Sequence, residues 1–540
     1  MRPIEEVAND LGIQGESLSP YGKWMAKVSL EAQDLSPAKR GKLVIVSAMT
    51  PTPYGEGKTV TSIGLAMALR KLGRSSVVCV RQPSLGPVFG IKGGGAGGGR
   101  ATVEPTQEVN MRFTGDIDAV AAAHNLLSAV VDNHIFHGNP LGIDPVRVTW
   151  RRALDLEDRA LRNVRVGLSA DKGSVPRDDG FMVAAASEVM AVLCLSETYA
   201  DLKRRLDRMV VGFDRSGGLV RAEKLKVGGA MAALLRDAML PNLVQTSEGT
   251  PALVHGGPFG NIAHGTSSLA SIKLGLSRAE YCVVEAGFAT DLGAEKFFDI
   301  VARTGGLDVD AVVVVATVRA LRHHGGASDA ARPDAQAVGR GLENLAKHIE
   351  NARLFGLDPV VAVNQFSSDT EEELRLVSEF CEAQSVNCAR LTAFSDGGAG
   401  ATELAALVVA AAGTGAKGRP LYSLDGSIEA KIEKVSTLVY GADGVSYSDA
   451  AMESIRRLRD EGFEGYPICV AKTPLSLSDD PHKLGRPRGF VPTVRDVVTS
   501  AGAAFNVVYM GDIVTMPGLP SSPAAERISL SDQGEISGVA

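Results

Sequence analysis

Cysteine, aromatic residues and long apolar runs are all scarce in this sequence, and each scarcity disfavours a class of protein. Six cysteines are scattered over 540 residues without a C-x-x-C pair, which disfavours a disulfide framework and a zinc site. No apolar run approaches the ~18 residues of a membrane span. The N-terminal MRPIEEVANDLG lacks the apolar core of a signal peptide. These features predict a cytoplasmic protein with reduced thiols and no membrane partner.

Concentrated positive charge is also missing. The formal net charge is −7, and no long block of lysine or arginine occurs. Nucleic acid is therefore not an expected partner, although the composition is compatible with a local basic pocket for a small anion.

What the sequence does contain is a series of short β-branched runs that alternate with helical patterns. The runs are continuous rather than alternating in polarity, as in strands buried on both faces of a parallel sheet. Strands that alternate with helices predict an α/β fold. The runs occupy residues 43–49, 76–81, 208–213, 281–287, 310–318, 359–366 and 466–472.

The length predicts roughly two to four domains. We expect a large P-loop NTPase-like domain with a mostly parallel sheet over residues 1–342. A second α/β domain would follow over 343–480, because a helical segment there leads into another apolar run. Residues 481–540, which begin in a region rich in proline and charge, would form a small C-terminal domain.

The first chemical signal is the triplet Gly57-Lys58-Thr59, which lies between a predicted strand and a predicted helix. That context favours a phosphate-binding loop, with Lys58 on the terminal phosphates and the Thr59 hydroxyl on Mg²⁺. The standard pattern has a glycine where this chain has Thr52. A tight turn with a capping threonine and a surface lysine is the alternative interpretation of the same residues.

The second signal follows the 76–81 strand. Arg81 ends that strand, and seven of the eleven residues from Gly90 to Arg100 are glycine. Ordering so many glycines is costly, so we expect a loop whose backbone approaches a ligand closely, rather than a linker. We expect this strand to neighbour the P-loop strand, which places Arg81 at the edge where α/β sheets bind ligands, and its guanidinium suits a carboxylate or an acyl phosphate. A structural ion pair is the alternative for Arg81.

Seven segments together resemble the formate–tetrahydrofolate ligase family, also called 10-formyltetrahydrofolate synthetases. They are TPTPYGEGKT, RQPSLGPVFGIKGGGAGGGR, FTGDIDAV, HGGPFGNIAHG, EAGFATDLGAEKFFD, VATVRALRHHGG and LGRPRGF. The resemblance extends over nearly the whole chain. It implies that ATP phosphorylates formate and that N10 of tetrahydrofolate attacks the resulting formyl phosphate. The products are then 10-formyltetrahydrofolate, ADP and phosphate.

The resemblance also implies residue roles. Lys58 would contact the transferring phosphate and Arg81 the formate or formyl phosphate, while Asp116 would position either the amine or a metal. Phe366 and Phe394 match the aromatic slot for a pterin or adenine ring, and Phe394 is smaller than the tryptophan common there. The family's variant loop, which binds ATP with Mg²⁺, corresponds to Thr52, Pro53, Tyr54, Gly55, Glu56, Gly57, Lys58 and Thr59.

Several positions depart from the family pattern. Gln82 stands where many bacterial members have a glutamate implicated in activation by a monovalent cation, so that dependence is an open expectation here. Gly95 and Arg100 replace an alanine and a tyrosine, and Arg322 replaces a lysine. By resemblance, the bacterial assembly would be a homotetramer.

Two rival functions share the P-loop signal. One is a P-loop ligase that activates a different carboxylate, as dethiobiotin synthetase does. The other is a partitioning-type ATPase that acts as a nucleotide-gated switch. Residues 52–57 contain no lysine and the chain is acidic, which disfavours the second rival.

Overall fold

The computed structural model describes residues 1–33, 40–53, 55–169 and 173–539. Its largest feature is a twelve-stranded sheet. The strands of that sheet are β1 (Leu18–Tyr21), β2 (Met25–Val28), β3 (Lys42–Ala48), β4 (Ser76–Val80), β5 (Gly97–Gly98), β6 (Ala101–Glu104), β7 (Asn242–Thr246), β8 (Pro251–Val254), β9 (Tyr281–Glu285), β10 (Ala311–Ala316), β11 (Val360–Asn364) and β12 (Cys388–Leu391).

The middle of the sheet is parallel. Its order is β8-β4-β9-β3-β10-β11-β12, and every neighbouring pair in this run is parallel. An antiparallel margin, β1-β2-β7, joins the β8 edge, with β6 paired to β7 and β5 to β6. The sheet is therefore mixed but mostly parallel, which confirms the predicted α/β class.

Helices follow most of the parallel strands. The α-helices of at least seven residues in the described part of the chain are α1 (Ile4–Asp10), α2 (Lys58–Lys71), α3 (Asp116–Phe136), α4 (Glu188–Leu195), α5 (Tyr199–Arg208), α6 (Gly228–Leu234), α7 (Leu269–Arg278), α8 (Val318–His324), α9 (Ala335–Leu354), α10 (Glu371–Ala383), α11 (Thr402–Gly413), α12 (Ile428–Lys434) and α13 (Asp449–Asp460).

The apolar runs have the burial that their composition predicts. Along β3, Leu43 and Ile45 belong to one hydrophobic core, while Val44 and Val46 belong to another. Successive strand side chains point to opposite faces, so these two cores lie on the two sides of the sheet. Both faces being covered explains why the strands are apolar throughout.

Five of the seven predicted strands lie in this sheet, namely β3, β4, β9, β10 and β11. The other two are strands of smaller sheets. Val210–Asp214 is antiparallel to both Ile143–Val148 and Leu219–Arg221. Ile468–Ala471 pairs with Phe505–Tyr509, which in turn pairs with Asp496–Ser500. The large sheet itself continues past residue 343, through β11 and β12.

Short strand pairs make up the remaining β-structure of the described residues. They are Arg152–Leu154 with Phe181–Val183, Val164–Val166 with Arg177–Asp179, Ser446–Tyr447 with Thr493–Val494, and Ser529–Leu530 with Ile536–Ser537.

One expected adjacency is wrong. The strand that ends at Arg81, β4, does not lie next to the loop-bearing strand β3, because β9 is inserted between them. Sequence order does not reveal this insertion, since β9 is formed some 200 residues further along the chain. The last residue of β9, Glu285, thereby comes between the loop and Arg81.

Candidate active site

The loop of residues 52–59 joins the carboxyl end of β3 to the start of α2 and is held by a buried carboxylate. Glu56 is 1% exposed. One of its oxygens accepts hydrogen bonds from the backbone N–H and the hydroxyl of Thr52, at 2.7 and 2.9 Å. The other accepts from the Thr317 hydroxyl at 2.5 Å. These hydrogen bonds stabilise the conformation of the loop on its buried side.

Gly57 immediately precedes α2 and has a left-handed backbone conformation, with φ of 74°. A β-carbon at this position would also clash with the amide nitrogen of Asn364. Both the backbone conformation and the lack of space for a β-carbon require glycine at position 57. Of the other loop residues, Pro53 and Gly55 are exposed, and Tyr54 lies outside the described residues.

Lys58 is the first residue of α2, at the positive end of the helix. Burial lowers the pKa of its ammonium, while the carboxylates of Glu285 and Glu56 raise it. Lys92 and Arg81 also lower the pKa of Lys58, because their positive charges lie within electrostatic range. The helix start therefore faces other cations rather than open solvent.

Arg81 and the loop share one carboxylate. Glu285 Oε1 lies 3.7 Å from Nη2 of Arg81, and Glu285 Oε2 accepts a hydrogen bond from the Thr59 hydroxyl at 2.7 Å. Glu285 is 7% exposed. The structure thus brings Lys58, Thr59 and Arg81 together around a residue that sequence reasoning did not select.

Lys92 is a further residue that sequence reasoning missed, although it lies within the glycine-rich segment. The residue as a whole is exposed, yet burial of its ammonium lowers its pKa and the charge of Arg81 lowers it further. Glu285 and Glu157 oppose that effect. We call Lys58, Arg81 and Lys92 the cation cluster. Its three positive charges around Glu285 form a receptor for a multiply charged anion.

The Thr59 hydroxyl and the Glu285 carboxylate are hard oxygen donors at one edge of this receptor. Magnesium is usually held by one or two such protein oxygens together with phosphates and water, so the donor set fits Mg²⁺. Within the described ranges, no group of three or more His, Cys, Asp or Glu side chains is arranged to hold a metal ion.

Asp116, the third predicted catalytic residue, is in a buried ion pair. Its Oδ1 accepts a hydrogen bond from the Lys27 ammonium at 2.8 Å, and its Oδ2 accepts one from Asn242 at 2.7 Å. All three residues are at most 4% exposed. Lys27 and Asn242 lie far from Asp116 in the sequence, so no local pattern signalled this network.

The two predicted aromatic residues follow neighbouring strands, β11 and β12. Phe366 lies under the guanidinium of Arg319, 5.0 Å from the ring centre, and Arg319 also donates to the carbonyl of Gly55 at 3.2 Å. Phe394 is 57% exposed, and its ring lies against Gly98 and Gly99 of the glycine-rich segment. Phe366 is therefore linked through Arg319 to the candidate phosphate loop, and Phe394 borders the glycine-rich segment.

Two residues that depart from the family pattern have defined surroundings. Gln82 is 3% exposed, and its Oε1 accepts no hydrogen bond from any described residue. Arg322 is completely buried and binds both carboxylate oxygens of Glu373, at 2.7 and 2.6 Å. Arg322 therefore anchors α8 to α10 outside the cation cluster.

A model of the family described as "Formate--tetrahydrofolate ligase" matches residues 1–540. The chain belongs to the formate–tetrahydrofolate ligase family. It is 53% identical over 537 residues to a protein of that name from Thermus thermophilus, covering 99% of this chain and 98% of the relative. It is 51% identical over 545 residues to one from Myxococcus xanthus, covering 100% and 99%.

Family membership confirms the resemblance seen in the motifs. This member has no helix in its described ranges that is long and apolar enough to cross a membrane.

Proposed function

We propose that the protein joins formate to tetrahydrofolate with ATP, giving 10-formyltetrahydrofolate, ADP and phosphate. A formate oxygen attacks the γ-phosphorus of ATP, and ADP leaves with the electrons of the broken bond. N10 of tetrahydrofolate then attacks the formyl carbon, and phosphate leaves carrying the amine proton. The observation that carries this proposal is the cation cluster, which joins the phosphate loop to Arg81 around one carboxylate.

The charges of the cluster support the order of the two steps. Lys58, at the start of α2, would bind the transferring phosphate, and Arg81 would bind the carboxylate of formate. Holding both reactants in one site converts a bimolecular attack into an intramolecular one. Phosphorylation also gives the formyl group a good leaving group, which formate lacks.

Mg²⁺ would be held by the Thr59 hydroxyl and the Glu285 carboxylate together with the nucleotide phosphates. When bound, it supplies positive charge that lowers the repulsion between the phosphates and an incoming carboxylate. The loop residues Thr52 to Thr59 are the proposed ATP site, and Gly55 and Gly57 would offer backbone N–H groups to the phosphates.

Phe366 and Phe394 are the proposed slot for a pterin or adenine ring. The exposed ring of Phe394 offers a free π-face, and such stacking contributes about 1–3 kcal/mol. Asp116 would then act through its buried pair with Lys27 and Asn242, which favours a positioning role over direct metal binding.

The free oxygen of Gln82 supports a weak monovalent-cation site. An amide oxygen is a ligand for such ions but carries no charge, so we expect only slight activation by K⁺. The variant Gln82→Glu should be activated more strongly and at lower K⁺ concentrations. Initial rates in K⁺ and in tetramethylammonium salts of equal ionic strength measure this, and equal K⁺ responses of the two proteins would contradict it.

The remaining expectations stay proposals at the level of the whole chain. These are the P-loop NTPase-like character of the large unit, the divisions at residues 342/343 and 480/481, a homotetramer, and a cytoplasmic location. Limited proteolysis of the purified protein tests the divisions, and light scattering tests the assembly.

A purified-protein assay tests the function. Formation of 10-formyltetrahydrofolate and of ADP is followed while ATP, formate or tetrahydrofolate is omitted in turn. The proposal expects product only in the complete mixture. ADP release that ignores formate and folate would overturn it and favour an ATPase, and stimulation by another carboxylate alone would favour the rival ligase.

A further inference from the structure

His264 is a buried histidine whose two ring nitrogens have no hydrogen-bond partner among the described residues. It is 0% exposed and lies in the segment 255–265, after the carboxyl end of β8. A neutral imidazole carries one N–H donor and one acceptor. Leaving both unpaired in the interior is unfavourable, so these nitrogens are available to a partner that the described residues do not supply.

The other buried histidines show how unusual this is. His124 bonds to Ser187 at 2.7 Å and to the Arg151 carbonyl at 2.8 Å. His348 bonds to two threonine hydroxyls, and His255 to a serine hydroxyl and a carbonyl. His324 also uses both nitrogens. Among the described buried histidines, His264 alone lacks partners.

Its neighbourhood is the Arg81 side of the proposed formate site. The Gly265 carbonyl accepts the N–H of Gly287 at 3.0 Å. A β-carbon on Gly287 would lie 3.0 Å from that same carbonyl and 3.2 Å from Nη2 of Arg81. The backbone next to His264 and the Arg81 guanidinium therefore flank one glycine.

The charges around His264 keep it neutral. Burial, together with the nearby charges of Arg81 and Lys296, lowers the pKa of His264 to about 3. Lys296 is held in place by the carbonyls of Gly260 and Asn261, each at 2.8 Å. An imidazole in this environment is neutral at pH 7, so it keeps one N–H donor and is a poor base. A neutral histidine in triosephosphate isomerase polarises a carbonyl in this way.

We propose that the N–H of His264 donates a hydrogen bond to the formyl oxygen of the formyl phosphate held by Arg81. This inference rests on the proposed function. When N10 attacks, the carbon–oxygen double bond opens and that oxygen becomes an oxyanion. The double bond re-forms as the bond to phosphate breaks. His264 would stabilise the oxyanion, keeping its own proton throughout.

Two pairs of variants separate a donor from a packing residue. His264→Asn and His264→Gln keep an N–H donor, whereas His264→Leu and His264→Ala do not. Leucine removes the unpaired nitrogens, so it should not lower the melting temperature below that of the asparagine variant. His124→Asn is the control for a buried histidine whose role is structural.

The expected result is a kcat about 10²-fold below wild type for His264→Leu, with the amide variants roughly tenfold above it. The Kd for ATP should stay unchanged, and His124→Asn should lose thermal stability but keep its kcat. Two results would overturn the role of His264. One is that the activities of the variants follow their melting temperatures rather than the presence of an N–H donor at position 264. The other is a wild-type kcat in His264→Leu. Both results leave the proposed function standing, whereas a wild-type protein without formate-dependent product would overturn both.

Discussion

At the scale of single residues, the site combines side chains that belong to recognisable sequence motifs with side chains that no motif indicates. Lys58, Thr59 and Arg81 occur in local motifs, where a strand precedes a glycine-rich turn. Glu285 joins them only in the folded chain, because β9 is inserted between β3 and β4, and Lys92 joins them from the glycine-rich segment. A linear pattern reports the spacing within one segment, so it could not predict a carboxylate shared by two segments.

Removing either proposed anion ligand should reduce catalysis without unfolding the protein. We expect Lys58→Ala and Arg81→Ala each to lower kcat by at least 10²–10³-fold, because each removes a charge that binds the transferred group. Steady-state rates with circular dichroism as a folding check measure this. Arg236→Ala, at an exposed arginine paired with Asp237, is the control. A near-normal rate in either site variant would reject that residue's assigned role.

Glu285 should matter mainly for the metal. The change Glu285→Gln keeps an oxygen that accepts the Thr59 hydroxyl but removes the negative charge. We expect the Mg²⁺ concentration for half-maximal rate to rise about tenfold, since a neutral amide is a weaker ligand for a hard cation. Mg²⁺ titration at fixed ATP measures this, with Glu248→Gln, a half-buried partner of Lys71, as the control. An unchanged Mg²⁺ requirement would exclude Glu285 as a ligand.

At the scale of elements, apolar runs indicate which segments are strands but not which sheet each joins. The segments 208–213 and 466–472 are as apolar as those of the parallel sheet, yet they belong to smaller sheets. The pair β7 and β8 was not predicted, since the polar turn between them interrupts the run. Partner choice depends on contacts between distant segments, so local composition does not determine it.

The glycine-rich segment and the Phe394 turn form another element-scale contact. Gly99 has φ of 59°, and a β-carbon there would clash with the Phe394 carbonyl. Because Arg100 N–H bonds to that carbonyl at 2.8 Å, Gly99→Ala should displace the Phe394 turn as a whole. We expect a destabilisation of roughly 1–2 kcal/mol and a several-fold higher KM for tetrahydrofolate.

Thermal melting and folate saturation curves measure both effects of Gly99→Ala. Gly413→Ala is the matched control, because that glycine ends α11 with nothing within 4 Å of its added β-carbon. A folate KM equal to wild type in Gly99→Ala would show that the turn does not border the folate.

At the scale of the whole molecule, buried titratable groups make stability depend on pH. Burial lowers the pKa of five histidines to about 3 or about 4: His124, His255, His264, His324 and His348. Burial also raises the pKa of several acids, most strongly in three of them: Glu188 and Asp299 to about 7, and Glu295 well above its ordinary value.

The histidines and the acids change the stability of the fold in opposite directions as the pH falls. Below about pH 6.5 the unfolded chain protonates its histidines while the folded chain does not, so acid destabilises the fold. The three acids bind protons preferentially in the folded state, which stabilises it as the pH falls below about 7. Among these strongly shifted groups, the five histidines outnumber the three acids. The melting temperature should therefore fall between pH 6 and pH 4.5.

Melting curves across pH 8 to pH 4.5 measure this loss. The exposed His482, changed to glutamine, should leave the curve unaltered. A melting temperature that rises steadily as the pH falls below 6 would contradict the prediction that the histidines outweigh the acids.

The insertion of β9 between β3 and β4 also fixes the distance between the ends of these two strands. Two strand spacings, roughly 10 Å, separate the end of β3, where the loop to Lys58 begins, from the end of β4, next to Arg81. Hydrogen bonds between the strands maintain the width of the sheet there. Tolerance for an acid with one more carbon would accordingly have to come from the loop and the side chains that bridge this gap, because the strands themselves are fixed.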